Sequence, residues 1–139
     1  MMYHKALLFD DAPIGNEILS AKHPAQVKKL GRAVRDFTDE KWNEHRYDIV
    51  VRANILKFSQ NEHLKSQLLA TGDKILVEAS PRDRIWGIGR GAKKAMEFRD
   101  SWGLNLLGKA LMDVRKKLRE DDAADPTSIQ DRDGAIDSA

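Results

Sequence analysis

Glu78 and Asp83 bracket a short segment that continues at once into Trp86, Gly87, Gly89 and Gly91. Carboxylates can give and take protons. Tryptophan offers a flat apolar face with a single donor, suited to stacking on a heterocycle. Glycine lets the backbone approach a ligand and adopt positive φ. Arg82, Arg84 and Arg90 add cations to the same stretch. Together these are the parts of a small-molecule pocket built on a loop. A carboxylate against an aromatic wall loses hydration, which suits acid/base work near neutral pH. For Asp83 the structural alternative is a loop cap or an ion pair with Arg82 or Arg84; for Glu78 it is a surface ion pair. The spacing Gly87-Ile-Gly89-Arg-Gly91 matches neither the dinucleotide nor the P-loop pattern, although backbone donors beside Arg90 can bind a phosphate.

Two lysines stand in apolar company. Lys5 precedes Ala6, Leu7, Leu8 and Phe9, and Lys57 lies between Leu56 and Phe58. A desolvated lysine can lose its proton and attack a carbonyl carbon; the alternatives are a surface cation and compensation of a helix C-terminus. His4, His23, His45 and His63 show no metal-ligand spacing, and there is no nucleophile elbow. We expect neither a metal nor a cofactor.

The elements that must hold these residues are mostly helices. The spacing predicts a helix over residues 1–9, a break at Asp10, Asp11 and Pro13, a short helix over Ile14–Ala21, and another from Pro24 toward Val34. Thr38 is the expected N-cap of the clearest helix, with Asp39 and Glu40 in its first turn and Phe37 and Trp42 at the positions of a hydrophobic staple. Its stripe is Trp42, Ile49, Val50, Ala53 and Leu56. A helix over His63–Ala70 stops at Thr71-Gly72. Lys74–Ala79 reads as a strand, Ala92–Arg99 as helical, and Asn105–Arg119 as a final helix with Leu107, Leu111, Val114 and Leu118 inward. The fold class read from this pattern is α+β, predominantly helical, with a small sheet. A lone strand makes no sheet, so its partner lies either in Arg84–Ile88 or outside this chain.

A length of 139 residues suits one domain. Cysteine is absent, so neither a disulfide framework nor a thiolate metal site can form. No apolar run approaches the roughly 20 residues needed to span a bilayer. These features predict a cytoplasmic protein without membrane contact; oligomeric state stays open. Residues 120–139 carry seven acids and one base, a charge of −6, leaving +8 on residues 1–119. The basic body attracts anions, and the acidic tail, poor in large apolar residues, reads as disordered.

The ordered motifs Lys5-Ala-x-x-Phe9, Lys29-Leu-Gly-Arg32, Trp42, Lys57-Phe58-x-Gln60-Asn61, Leu69-x-Thr71-Gly-Asp73, Val77-Glu78-Ala-Ser-Pro-x-Asp83-x-x-Trp86-Gly-x-Gly89 and Trp102-Gly-x-Asn105-x-x-Gly108 resemble the NADAR family of YbiA-like N-glycosidases, over residues 1–119. The resemblance implies a YbiA-like single domain that cleaves an N-glycosidic bond between ribose and a nitrogenous base, without a metal or cofactor. The implied substrates are phosphorylated ribosylamino-pyrimidines of riboflavin synthesis or ADP-ribosyl groups, with nucleic acid only as an ADP-ribosylated substrate. It makes Lys5, Glu78 and Asp83 catalytic candidates, and Trp42, Lys57, Trp86, Gly87, Gly89 and Asn105 substrate-binding candidates. The resemblance also implies a Gly/Phe-rich strand and an acidic residue upstream of the Lys5 motif. Here the sequence starts at Met1-Met2-Tyr3, just before that motif, so N-terminal strands are expected to be incomplete. The alternative function is then a non-catalytic ADP-ribose or nucleotide-binding module, or an inactive truncated homologue. Arg90 departs from the aromatic residue common at its position in the family.

Overall fold

The computed structural model describes residues 1–125. Residues 126–139, most of the segment read as an acidic disordered tail, lie outside the described residues. The chain forms two compact units, Met1–Ala53 and Asn54–Ala139.

The first unit contains α1 (Met2–Leu8), α2 (Ala12–Ser20), α3 (Pro24–Arg32) and the first part of α4 (Asp39–Ser59). The buried Asp11 organises it. One carboxylate oxygen caps α2 by accepting from the Ile14 N–H at 3.3 Å, and the other accepts from the Arg35 N–H at 2.9 Å. Pro13 and Pro24 both lie in helix first turns, where a missing N–H costs nothing. Pro13 therefore opens a helix where the sequence pattern suggested a break. Ala6, Phe9, Ile18 and Val34 form the core, with Tyr3, Ile14, Val27, Leu30 and Trp42 packed on it.

The second unit contains α5 (Glu62–Ala70) and α6 (Leu106–Ala124) joined by a long irregular segment. Gly72, at φ +59°, ends α5 as its position predicts. The expected α+β class with a small sheet is not what forms: among the described residues there is helix and no strand. Lys74–Ala79 is extended but pairs with no neighbouring strand. Two of its backbone groups are met by one side chain instead. Asn105 Oδ1 accepts from the Glu78 N–H at 3.0 Å, and Asn105 Nδ2 donates to the Leu76 carbonyl at 2.9 Å. A primary amide offers a donor and an acceptor side by side, so it substitutes here for one residue of a partner strand.

Arg84–Ile88 is no strand either. Its carbonyls accept from the N–H groups of Gly103–Leu107: Arg84 from Leu104, Ile85 from Leu106, Trp86 from Leu107, Gly87 from Asn105 and Ile88 from Gly103, at 2.8–3.2 Å. Two first-turn N–H groups of α6, those of Leu106 and Leu107, which have no intrahelical partner, are thus spent on this loop. Ile88 is completely buried, so a loop that looks too polar for packing contributes a core residue. The helix expected over Ala92–Arg99 is replaced by two short 3-10 turns, Ala92–Lys94 and Arg99–Ser101.

The C-terminal part of α6 returns to the end of α5. The buried Arg115 donates to Thr71 Oγ1 at 2.7 Å, and Arg119 reaches Asp73 Oδ1 at 2.8 Å and the Gly72 carbonyl at 2.6 Å. Lys65 of α5 pairs with Asp122. The helix continues to Ala124, so residues 120–124 of the predicted tail are helical. None of the described helices is long and apolar enough to cross a membrane.

The close seating of α6 on the extended segment requires Gly108. A Cβ there would lie 2.1 Å from the Leu76 carbonyl oxygen. We expect Gly108→Ala to lower stability by about 2–4 kcal/mol in urea unfolding. Asn105→Gly, which keeps its left-handed φ of 51° but removes the amide, should cost about 2–3 kcal/mol for two lost bonds. A loss under about 0.5 kcal/mol in either variant would show that the amide clamp does not hold the loop.

Candidate active site

In the first unit, Lys5 and Trp42 come together. The Lys5 ammonium donates to the Gly31 carbonyl at 2.6 Å, lies 4.1 Å from the centre of the Phe37 ring, and lies 5.6 Å from that of Trp42. The placement follows from the local folding. Asp11 fixes the Arg35 N–H, Arg35 also donates to the Asp10 carbonyl at 2.7 Å, and the ring of Phe37 two residues later packs tilted against that of Phe9, with centres 5.3 Å apart. Trp42 is set by the start of α4, where its N–H donates to the Thr38 carbonyl at 3.1 Å, the bond expected of a Thr38 N-cap. The staple residues Phe37 and Trp42 thus also wall an amine.

Burial holds the Lys5 amine below the ordinary lysine pKa of 10.5, against the opposing attraction of Asp39. The aromatic faces of Phe37 and Trp42 also lie near the ammonium and favour the cation. A lysine poised in this way is easier to convert to a nucleophilic amine than one in water.

In the second unit, Glu78, Asp83, Trp86, Gly87, Gly89 and Asn105 come together in the clamped loop. Asp83 Oδ1 accepts from the N–H groups of Ile85 and Trp86, at 2.9 and 2.8 Å. One of its oxygens therefore closes the turn that presents Trp86, the loop-cap reading of this residue. Glu78 uses its backbone in the same loop: its carbonyl accepts from Ile88 at 3.0 Å. Its half-buried side chain makes no hydrogen bond or ion pair among the described residues. Trp86 is half buried. Gly87 is required by crowding, since a Cβ would lie 2.8 Å from the Glu78 carbonyl and 2.9 Å from that of Asp83. Gly89 has φ +72°, which side-chain-bearing residues rarely adopt. Asn105 is 6% exposed with its amide committed to Leu76 and Glu78, so its observed role is to hold the loop.

Lys57 is exposed, with its ammonium 5.4 Å from the ring of its neighbour Phe58. Among the described residues no group of three His, Asp or Glu side chains is placed to hold a metal ion. Sequence reasoning missed Asp11, Gly31 and the Phe37 wall. Only the proximity of Phe37 to Trp42 in the staple hinted at the last, and nothing marked the Gly31 carbonyl as a partner for Lys5.

A lysine held in an aromatic niche and an acid–tryptophan–glycine loop clamped to a helix are the features against which known proteins can be compared. The NADAR domain profile matches residues 1–119. An N-glycosidase of Acanthamoeba polyphaga mimivirus is 49% identical over 122 residues, covering 86% of this chain and 72% of the viral protein. A riboflavin biosynthesis protein of Vibrio vulnificus is 36% identical over 118 residues, spanning 85% of this chain but 30% of that longer protein. The N-glycosidase YbiA of Escherichia coli is 30% identical over 116 residues, 84% of this chain and 67% of its own length. The chain belongs to the NADAR domain family.

Proposed function

We propose that this chain is an N-glycosidase that hydrolyses the bond between ribose C1 and a nitrogenous base, with Lys5 as the reacting amine. The observation that carries the reading is the Lys5 amine held on the Gly31 carbonyl beside the rings of Phe37 and Trp42. The relatives named N-glycosidase support the reaction class, and the one named for riboflavin biosynthesis supports a ribosylated pyrimidine as substrate.

The chemistry follows from a neutral amine. Lys5 Nζ adds to C1, the C1–N bond to the base breaks, and the electron pair leaves with the base, which takes up a proton. The C1–O4 bond of the ribose ring then opens, O4 taking up the proton that Nζ gives up, which leaves an iminium between C1 and Nζ that is attacked by water. The C1–Nζ bond then breaks, giving the free sugar aldehyde and restoring the amine. Net, one water is consumed and one N-glycosidic bond is hydrolysed. Glu78 is the better candidate for moving the protons, because its carboxylate is uncommitted while Asp83 closes a turn. Trp42 beside Lys5, and Trp86 on the loop of the other unit, are each proposed as a face on which a base can stack. Lys57, Gly87 and Gly89 complete the proposed binding residues, and Asn105 supports the loop that carries them.

The test is release of free base and ribose phosphate from a phosphorylated ribosylamino-pyrimidine. Lys5→Ala and Lys5→Arg should each lose at least about a hundredfold in kcat while remaining folded. Wild-type turnover in a folded Lys5→Ala protein would refute the assignment.

Isosteric variants separate the two acids. Glu78→Gln should lower kcat by about 10²-fold. Asp83→Asn, whose amide oxygen can still accept from Ile85 and Trp86, should stay within about tenfold of wild type. The reverse ranking would exchange the roles.

The pH dependence follows from the direction of the Lys5 shift. Below its folded pKa the amine is protonated and idle, so the rate rises with pH. Because that pKa is lowered, the rise should level off below the ordinary lysine value of 10.5. A profile still climbing through that value would contradict a desolvated nucleophile.

A further inference from the structure

A cavity of about 410 Å³ lies beside the clamped loop, lined by Pro81, Gly89, Arg90, Gly91, Ala92, Lys93 and Lys94. Three of its lining residues are cations and none is an acid. Among the described residues no carboxylate pairs with Arg90, Lys93 or Lys94. Arg90 is held instead by the ring of Phe98, 4.4 Å from its guanidinium carbon, and its Nε is buried without a hydrogen-bond partner. The guanidinium's hydrogen-bonding capacity is therefore not spent within the protein. A buried donor left in this state is costly and normally has an explanation.

The backbone adds to this. The carbonyls of residues 84–88 are all taken by the N–H groups of residues 103–107, whereas the N–H groups of Gly89, Arg90 and Gly91 donate to no acceptor among the described residues. The loop thus leaves its acceptors on α6 and its donors unspent next to the cations. Successive backbone N–H groups beside an arginine suit an anion, and the planar guanidinium suits phosphate in particular. Pro81, which lies between Glu78 and Asp83 in the sequence, lines the cavity, so the cavity adjoins the loop that carries both acids.

We propose that this cavity is the subsite for the phosphate of the ribosylated substrate, with Arg90 as its main anchor and Lys93 and Lys94 as exposed supporting charges. This rests on the N-glycosidase reading for the identity of the substrate, but it is tested by binding, without turnover.

Calorimetric titrations of the full chain with ribose 5-phosphate, ribose and inorganic phosphate decide the matter. Ribose 5-phosphate should bind more tightly than either part alone, with an affinity that falls as salt rises. Arg90→Gln should weaken it by about tenfold to a hundredfold and leave ribose binding unchanged. Because Arg90 also packs on Phe98, the exposed Lys93→Gln/Lys94→Gln double variant provides the test if Arg90→Gln does not fold; it should lose several-fold in affinity and part of the salt dependence. Wild-type affinity in the variant that folds overturns the subsite, as does equal binding of ribose 5-phosphate and inorganic phosphate. A chain that binds ribose 5-phosphate through Arg90 yet releases no base keeps the subsite and refutes the reaction. One that releases base with an unchanged KM in Arg90→Gln does the reverse.

Discussion

The second unit depends on how one helix end is satisfied. An α-helix starts with N–H groups that have no intrahelical acceptor, and α6 could meet them with a capping side chain, water or an anion. It meets two of them with the carbonyls of the acid–tryptophan–glycine loop. Asn105 at that same end then reaches sideways to Leu76 and Glu78. An extended segment, a loop and a helix are joined through one residue in left-handed conformation, without any sheet. The glycines follow from the same constraint: Gly108 admits the Leu76 carbonyl, Gly103 admits the backbone of Arg84, and Gly87 admits the carbonyls of Glu78 and Asp83. A position that resembles a ligand contact can thus be held to asparagine by architecture.

The first unit solves a different problem, keeping a lysine partly out of water. Asp11 does so from a distance. By accepting from Ile14 and Arg35 it fixes both the start of α2 and the segment that carries Phe37. The amine then has one carbonyl partner and two aromatic faces. Burial works against the charge and lowers the pKa of the amine, against the attraction of Asp39.

The helices were legible because their signals are local: Pro24 at a first turn, the stripe of α6 with Val114 and Leu118 buried, and Gly72 after α5. The sheet was misread because Ile75, Leu76 and Val77 carry strand propensity, and propensity does not reveal what pairs with the backbone. Here an asparagine nearly thirty residues on does so. The burial of Ile88 has no signal in the sequence for the converse reason. Its polar and glycine neighbours describe a loop, while its burial is decided by contacts distant in sequence. Lys5 was identifiable as a lysine in apolar company, but its aromatic walls come from Phe37 and Trp42, and no local pattern links them to it.

The central claim is that the Lys5 amine bonds to the sugar carbon. Incubating the chain with a ribosylated pyrimidine phosphate in the presence of borohydride would reduce any iminium to a stable secondary amine. Peptide mass spectrometry should then find one ribose phosphate attached to Lys5 and no free lysine adduct elsewhere. Base release without any reducible adduct, or an adduct on another lysine, would contradict the account.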